Sequence, residues 1–362
     1  MMSRCLQRTL LRCSRKKHSL RLERKLSSFQ IFIDEYGDPK DSLKSRTTNL
    51  TSSLDSRQVL IKMMMSPINP SDVNMIEGTY FVKPPLPTVL GNEGVGKVMD
   101  VGKGVKGLSE GDWVLPANAA AGTWQSLRVA TDEQLIKIPN DMPMVSAATL
   151  SVNPCSAYRM LKDYSDLKPG DVIIQNGANS GVGVSVIQLA KEWNIKTVNI
   201  VRNRPDLDSL IEYLKSLGAD YVVTEDFLRK PDMRALMKDI GVKPKLALNC
   251  VGGQCATELI RHLEQDGVMV TYGAMSRRPI VVPTGPLIFK QVKLFGFWNT
   301  LWNENSENEF SRIEMLADLS DLIKKGKFVA PKHELYALEE YKTAIKQATE
   351  GYKGGKVIFK ID

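Results

Sequence analysis

The chain has no stretch of 18 apolar residues, so none of its 362 residues read as a membrane span. Cysteine and histidine are scarce, with five of one and three of the other. No cysteine lies between Cys13 and Cys155, and Cys155, Cys250 and Cys255 have no C-x-x-C spacing. That excludes a disulfide framework and a four-cysteine zinc lobe, and it suits a reducing compartment. Acid is nearly absent from residues 1–28, where nine Arg or Lys face Glu23 alone. The formal charge of +8 belongs to this segment, because the remainder holds 40 basic and 40 acidic residues. A neutral remainder offers no face for nucleic acid.

The segment 1–28 is rich in Arg, Ser and Leu, the composition of a mitochondrial import presequence, and its apolar residues are too scattered for a secretory signal. The mature chain is expected to begin between Ser27 and Gln30. A basic arm for nucleic acid or anionic lipid is the alternative.

What is present falls into two patterns. Residues up to about 140 are short apolar runs split by Gly and Asp, as in "VLGNEGVGKVMDVGKGVKGLSEGDWVL", which predicts a turn-rich β domain. Residues 141–166 read as helix, a Pro interruption and helix. Beyond "KPGD", strands (DVIIQN, TVNIV, YVVT, LALNCV, VMVTYG) alternate with helical segments, which predicts a doubly wound parallel sheet, the Rossmann class of α/β fold. An amphipathic helix over about 303–325 and a closing strand "GGKVIFKID" return to the first domain. The expected division is 29–152 with 303–362 for the β-rich domain and 153–302 for the dinucleotide-binding domain.

Between DVIIQN and the helix beginning near residue 182, the fingerprint G-x-G-x-x-G is only partly met, by Ala178-Asn179-Ser180-Gly181-Val182-Gly183. Small residues still stand where backbone amides approach a pyrophosphate, and Gly183 falls where helix and strand pack closely. At the end of the next strand, "VRNRPD" offers Arg202 and Arg204 where NAD enzymes carry an acid. Two guanidinium groups suit a 2′-phosphate, so the expected cofactor is NADPH.

The stretches "NPSDVNMIEGTY", "SVNPCSAYRML", "NGANSGVG", "VRNRPD", "LALNCVGG", "VTYGAMS" and "GFW", in this order, resemble the zinc-independent medium-chain dehydrogenase/reductases across residues 30–362. Within them, the chain is similar to the mitochondrial enoyl-thioester reductases. The resemblance implies a GroES-like β-rich catalytic domain beside the Rossmann domain, and a homodimer formed through an edge strand. It implies Tyr80 as proton donor, against the alternative of a half-buried structural tyrosine. Implied cofactor contacts are Asn153, Asn179, Ser180, Gly181, Val182, Arg202, Asn203, Arg204, Tyr272, Gly273, Ala274, Met275, Phe297, Trp298, Asn299 and Lys356. Alternatives for three of these are a helix-capping Asn153, a core Trp298 and an exposed strand-edge Lys356. Asn203 stands where relatives carry Asp, and "AM" where a second Gly is common.

The zinc-dependent branch holds its metal with Cys and a G-H-E histidine; here "GNE" puts Asn92 at that position, so no metal is expected. The implied reaction delivers hydride to the β carbon and a proton to the α carbon of a trans-2-enoyl thioester, carried on acyl carrier protein or coenzyme A, in mitochondrial fatty-acid synthesis. A zinc-independent NADPH quinone reductase and a non-enzymatic binding protein on the same fold are the competing readings. Arg277, Arg278 and Lys290 are candidates for a basic rim that meets the carrier. His262 and His333, in expected helix and loop, carry no motif.

Overall fold

In the computed structural model of the protein, residues 26–51, 53–350 and 354–362 are described. The expected presequence lies outside them except for Leu26, Ser27 and Ser28. Those three already belong to a strand, and buried Ser28 donates to the Leu127 carbonyl at 2.6 Å and accepts from the Leu127 amide at 3.1 Å. A chain beginning between Ser27 and Gln30 would lose part of this strand, so the folded domain uses Leu26 onward.

Among the described residues, eight strands precede residue 140: β1 (Leu26–Ile33), β2 (Lys44–Leu50), β3 (Gln58–Pro67), β4 (Thr88–Val89), β5 (Val95–Val101), β6 (Trp113–Pro116), β7 (Leu127–Thr131) and β8 (Leu135–Ile138). Six more form the second half: β9 (Val172–Asn176), β10 (Lys196–Val201), β11 (Tyr221–Thr224), β12 (Leu246–Asn249), β13 (Val268–Thr271) and β14 (Lys293–Gly296). The last two, β15 (His333–Ala337) and β16 (Lys356–Lys360), return to the first half.

In the first half, β3 is the hub. It pairs antiparallel with β5, β7 and β16, and β15, β6 and β8 extend the sheet on either side. A smaller antiparallel sheet, β2-β1-β4, lies beside it. His333 opens β15 and is not in a loop, which corrects the expectation for that residue.

The second half is one six-stranded sheet, every pair parallel, in the order β11-β10-β9-β12-β13-β14. Its central strands are buried on both faces, as parallel strands covered by helices must be, and β9 has no exposed residue. The chain moves outward from β9 in one direction, then restarts at β12 in the other. The crevice at that reversal, beyond the carboxyl ends of the strands, is where ligands bind in such sheets. The edge strand β14, four exposed residues without alternation, is not evident from the sequence pattern.

Residues 303–362 divide between the halves. β15 and β16 join the first sheet, whereas the helix Glu309–Lys324 lies against the helix Asn153–Asp163, with Tyr158 donating to Asp318 at 2.7 Å. One hydrophobic cluster runs from Met65, Val95 and Leu115 through Leu150 and Leu161 to Ile173 and Val270, so the two halves share a core. Above it they separate, leaving a cleft.

Candidate active site

The cleft has a volume of about 810 Å³, and both halves line it. On the nucleotide side it is built mainly from backbone. Ser180 caps the helix Gly181–Glu192, accepting from the Gly183 amide at 3.1 Å, so the remaining N–H groups of the first turn face the cleft. Gly183 is required by packing, since a Cβ there would lie 2.5 Å from the Ala178 carbonyl oxygen. At Gly181 a Cβ would press on the Asn153 amide, 2.8 Å away, so lack of a side chain keeps the loop open at that point. Asn153 begins its helix without capping it, and its Nδ2 is buried with no partner. An orphaned donor beside an open helix terminus fits a ligand carrying anionic and amide groups.

The loop after β13 supplies Tyr272, Gly273, Ala274 and Met275. It is tied to the loop after β12 by the Met275 amide, which donates to the Cys250 carbonyl at 2.9 Å. Below it, Asn176 on β9 donates to Asn249 on β12 at 2.8 Å, and Asn249 donates to Thr271 on β13 at 3.1 Å. This polar ladder crosses the sheet at its reversal and fixes the starting points of the cleft loops. Burial pushes the Cys250 thiol and the Tyr272 phenol up, so both stay protonated at neutral pH.

Tyr80 enters from the other side. Asp72 reaches back to the Asn69 amide at 2.7 Å to start the helix Pro70–Ile76, and Gly78, with φ of +70°, turns the chain after it. The Tyr80 amide then closes on the Asn74 carbonyl at 3.0 Å. Its phenol oxygen accepts from Trp298 Nε1 at 2.9 Å and lies 3.5 Å from the Thr300 hydroxyl. Trp298 stands edge-on to Tyr80, with ring centroids 6.2 Å apart, and it lines the cleft. Phe297 is buried beneath it, and Asn299 donates to the Ser151 carbonyl at 3.2 Å while its Oδ1 is buried with no partner.

Lys356, at the start of β16, is no exposed edge residue. Its ammonium donates to Asn69 Oδ1 at 2.7 Å, in a cluster with the buried carboxyls of Asp72 and Glu93. Burial pushes Lys356 down, opposed by the two acids. Burial raises Glu93, and it raises Asp72 to about 7 against the bonds from Asn69 and Asn92. The cluster joins positions distant in sequence, and only Lys356 among its members is anticipated. The one available signal was that Asn69 and Asp72 fall inside "NPSDVNMIEGTY".

The cleft therefore gathers Tyr80, Asn153, Ser180, Gly181, Val182, Tyr272 to Met275, Phe297 to Asn299 and Lys356. Asn179 is exposed at the tip of the loop and does not line it. Nor do Arg202, Asn203 and Arg204, which follow the carboxyl end of β10 one strand away; Arg204 pairs with Asp206 at 2.9 Å. Of the basic rim candidates, Arg277 bonds Glu77 across the cleft at 3.1 Å. Lys290 instead donates to the Arg261 and Leu263 carbonyls at a helix end. Arg312, which lines the cleft and donates to the Ala117 carbonyl at 2.7 Å, was not foreseen.

A parallel nucleotide sheet and a β-rich partner with a shared cleft define the medium-chain dehydrogenase/reductase class. Residues 55–140 match the alcohol dehydrogenase GroES-like domain, and residues 181–315 match the zinc-binding dehydrogenase family. The mitochondrial enoyl-[acyl-carrier-protein] reductase of Xenopus tropicalis is 47% identical over 335 residues, spanning 92% of this chain and 95% of its own length. The Homo sapiens protein of that name is 48% identical over 329 residues, spanning 91% and 87%. A solved structure described as the Etr1p/NADP/crotonyl-CoA complex superposes with a TM-score of 0.86 at 34% identity, over 92% of this chain and 100% of that one. The chain belongs to the mitochondrial enoyl-[acyl-carrier-protein] reductase family.

The zinc in the matched family's name does not fit the residues here. Zinc takes thiolate, imidazole or carboxylate ligands. Among the described residues no group of three or more His, Cys, Asp or Glu is placed to hold it. Asn92 donates its side-chain amide to Asp72 at 2.7 Å, and Glu93 accepts from Asn69 and Val152.

Proposed function

We propose that this protein reduces the 2,3 double bond of trans-2-enoyl thioesters with NADPH, in mitochondrial fatty-acid synthesis. The observation that carries the reading is the placing of the Tyr80 hydroxyl, held by Trp298, in the cleft that also receives the open terminus of the helix Gly181–Glu192.

The side chains follow this chemistry. NADPH, when bound, supplies hydride to C3 of the enoyl group. Negative charge then collects on the thioester oxygen, and a proton must reach C2. An indole N–H can only donate, so the Tyr80 oxygen accepts from Trp298 and keeps its own proton to give. The same bond stabilises the phenolate left behind. Thr300 beside it offers a route for reprotonation from the cleft. Asn153 holds an unused donor and Asn299 an unused acceptor that would serve the cofactor, and the amides of Gly181 and Val182 would hold its pyrophosphate. Arg202 and Arg204, beyond β10, would hold the 2′-phosphate, with Asn203 between them and Asn179 at the tip of the loop beside the cofactor. Met275 and Phe297 would pack the nicotinamide side, and Lys356 would donate to the cofactor.

The acyl group arrives on acyl carrier protein or coenzyme A past the rim at Arg277 and Arg278. Two copies pair along β14, whose Leu294 and Phe295, with nearby Ile288 and Phe289, are exposed apolar side chains on a sheet edge. Sedimentation of the purified protein tests the dimer.

The activity is tested by following NADPH absorbance with crotonyl-CoA, with a benzoquinone, and with NADH replacing NADPH. Fast oxidation is expected only for NADPH with the enoyl thioester. Turnover confined to the quinone overturns the reading.

A further inference from the structure

Beneath the cleft, Glu93 is fully buried and spends both carboxylate oxygens. Oε2 accepts from Asn69 Nδ2 at 2.8 Å, and Oε1 accepts from the Val152 amide at 2.9 Å, with the Ser151 hydroxyl at 3.5 Å. With its amino group claimed by Glu93, Asn69 must turn its oxygen the other way, toward the Lys356 ammonium at 2.7 Å. The reverse orientation would set N–H against N–H at Lys356 and oxygen against oxygen at Glu93, which is strongly unfavourable in a buried site. Lys356 makes no direct carboxylate pair among the described residues, so its other N–H groups are left to the cleft it lines. Both acids attract it through space, but by hydrogen bonding only Glu93 reaches it, through one oriented amide. Through Val152, the same carboxylate grips the residue that precedes Asn153.

We propose that Glu93 and Asn69 are positioning residues: Glu93 sets the orientation of the Asn69 amide, which aims the Lys356 ammonium into the cleft and ties it to the loop carrying Asn153. The inference rests on the proposed use of NADPH, and its effect is on cofactor binding. It does not depend on which acceptor is reduced. Gln at position 93 matches Glu in shape but offers one acceptor where two donors converge, so either Asn69 or Val152 loses its partner.

The test is NADPH titration by fluorescence on the full chain, for wild type, Glu93→Gln, Lys356→Met and the double variant. Each single substitution is expected to raise Kd about tenfold, the scale of one charge-assisted hydrogen bond. The double variant is expected to bind clearly less weakly than the product of the two single effects, because Glu93 acts largely through Lys356. Thermal melting of the same samples separates this from general loosening, which would add in the double variant and follow the melting temperature. Should Glu93→Gln not fold, Asn69→Ala takes its place in the cycle with the same expectation. An unchanged Kd in Glu93→Gln, or effects that multiply in the double variant, overturns the proposal. No NADPH binding by wild type would overturn the functional reading itself, whereas quinone-only turnover with an intact cycle would leave the positioning role standing.

Discussion

The two walls of the cleft work by different means. The nucleotide wall acts mainly through backbone: a helix terminus capped by Ser180, a loop kept clear by Gly181 and closely packed at Gly183, and strand ends locked by the Asn176–Asn249–Thr271 ladder. The catalytic wall acts through side chains brought from far apart: Asn69, Asp72, Tyr80, Glu93 and Lys356, with a half-buried lysine and two buried acids among them. A backbone site needs small residues over a short span, whereas a side-chain site needs contacts made only by the completed fold. Substitutions on the two walls should therefore fail differently, one losing packing or cofactor choice and the other losing chemistry at Tyr80 or cofactor affinity at Lys356.

The largest effect is expected at Tyr80. Tyr80→Phe removes the proton and leaves the ring, so kcat should fall by about 10²–10⁴ while the NADPH Kd stays nearly constant. A parallel change in both would mean that the tyrosine merely shapes the site. On the opposite wall, Gly183→Ala drives a methyl group into the Ala178 carbonyl and should cost about 1–3 kcal/mol of stability, read as a lower melting temperature. An unchanged melting temperature would show that the loop can give way. Next, Arg202→Gln with Arg204→Gln should raise KM for NADPH about tenfold and leave KM for NADH in place, the signature of a lost 2′-phosphate contact.

The smallest effect is one of pH. The folded state raises Asp72 from 3.8 to about 7, so it holds this proton more tightly than the unfolded chain does. The stability it contributes is complete below about pH 4 and is lost as pH rises through about 7. The melting temperature should fall across that window, and fall less in Asp72→Asn. Equal slopes would mean that other groups dominate.

The same contrast explains what the sequence reveals. Alternating strands and helices announce the nucleotide half, because burial on both faces writes short continuous apolar runs such as Val172–Ile173–Ile174. The glycine loop is found from its setting and not from its letters. A complete G-x-G-x-x-G does occur, at residues 102–107, but it lies in the turn between β5 and β6 with no helix after it. Strand β14 escapes notice because an exposed edge needs no pattern, and β1 because its first residues merge with the basic segment. Lys356 is legible as an implied cofactor contact. Its neighbours Asn69 and Glu93 are not, since nothing local tells a buried acid from a solvated one.

The central claim is that hydride and proton reach the substrate from opposite walls. Mass and NMR analysis of the product from crotonyl-CoA tests it, using NADPH with deuterium at the transferred position and, in parallel, unlabelled NADPH in D2O. The account predicts one deuterium at C3 from the cofactor and one at C2 from solvent. Product without cofactor label at C3, or no reduced thioester at all, would contradict it.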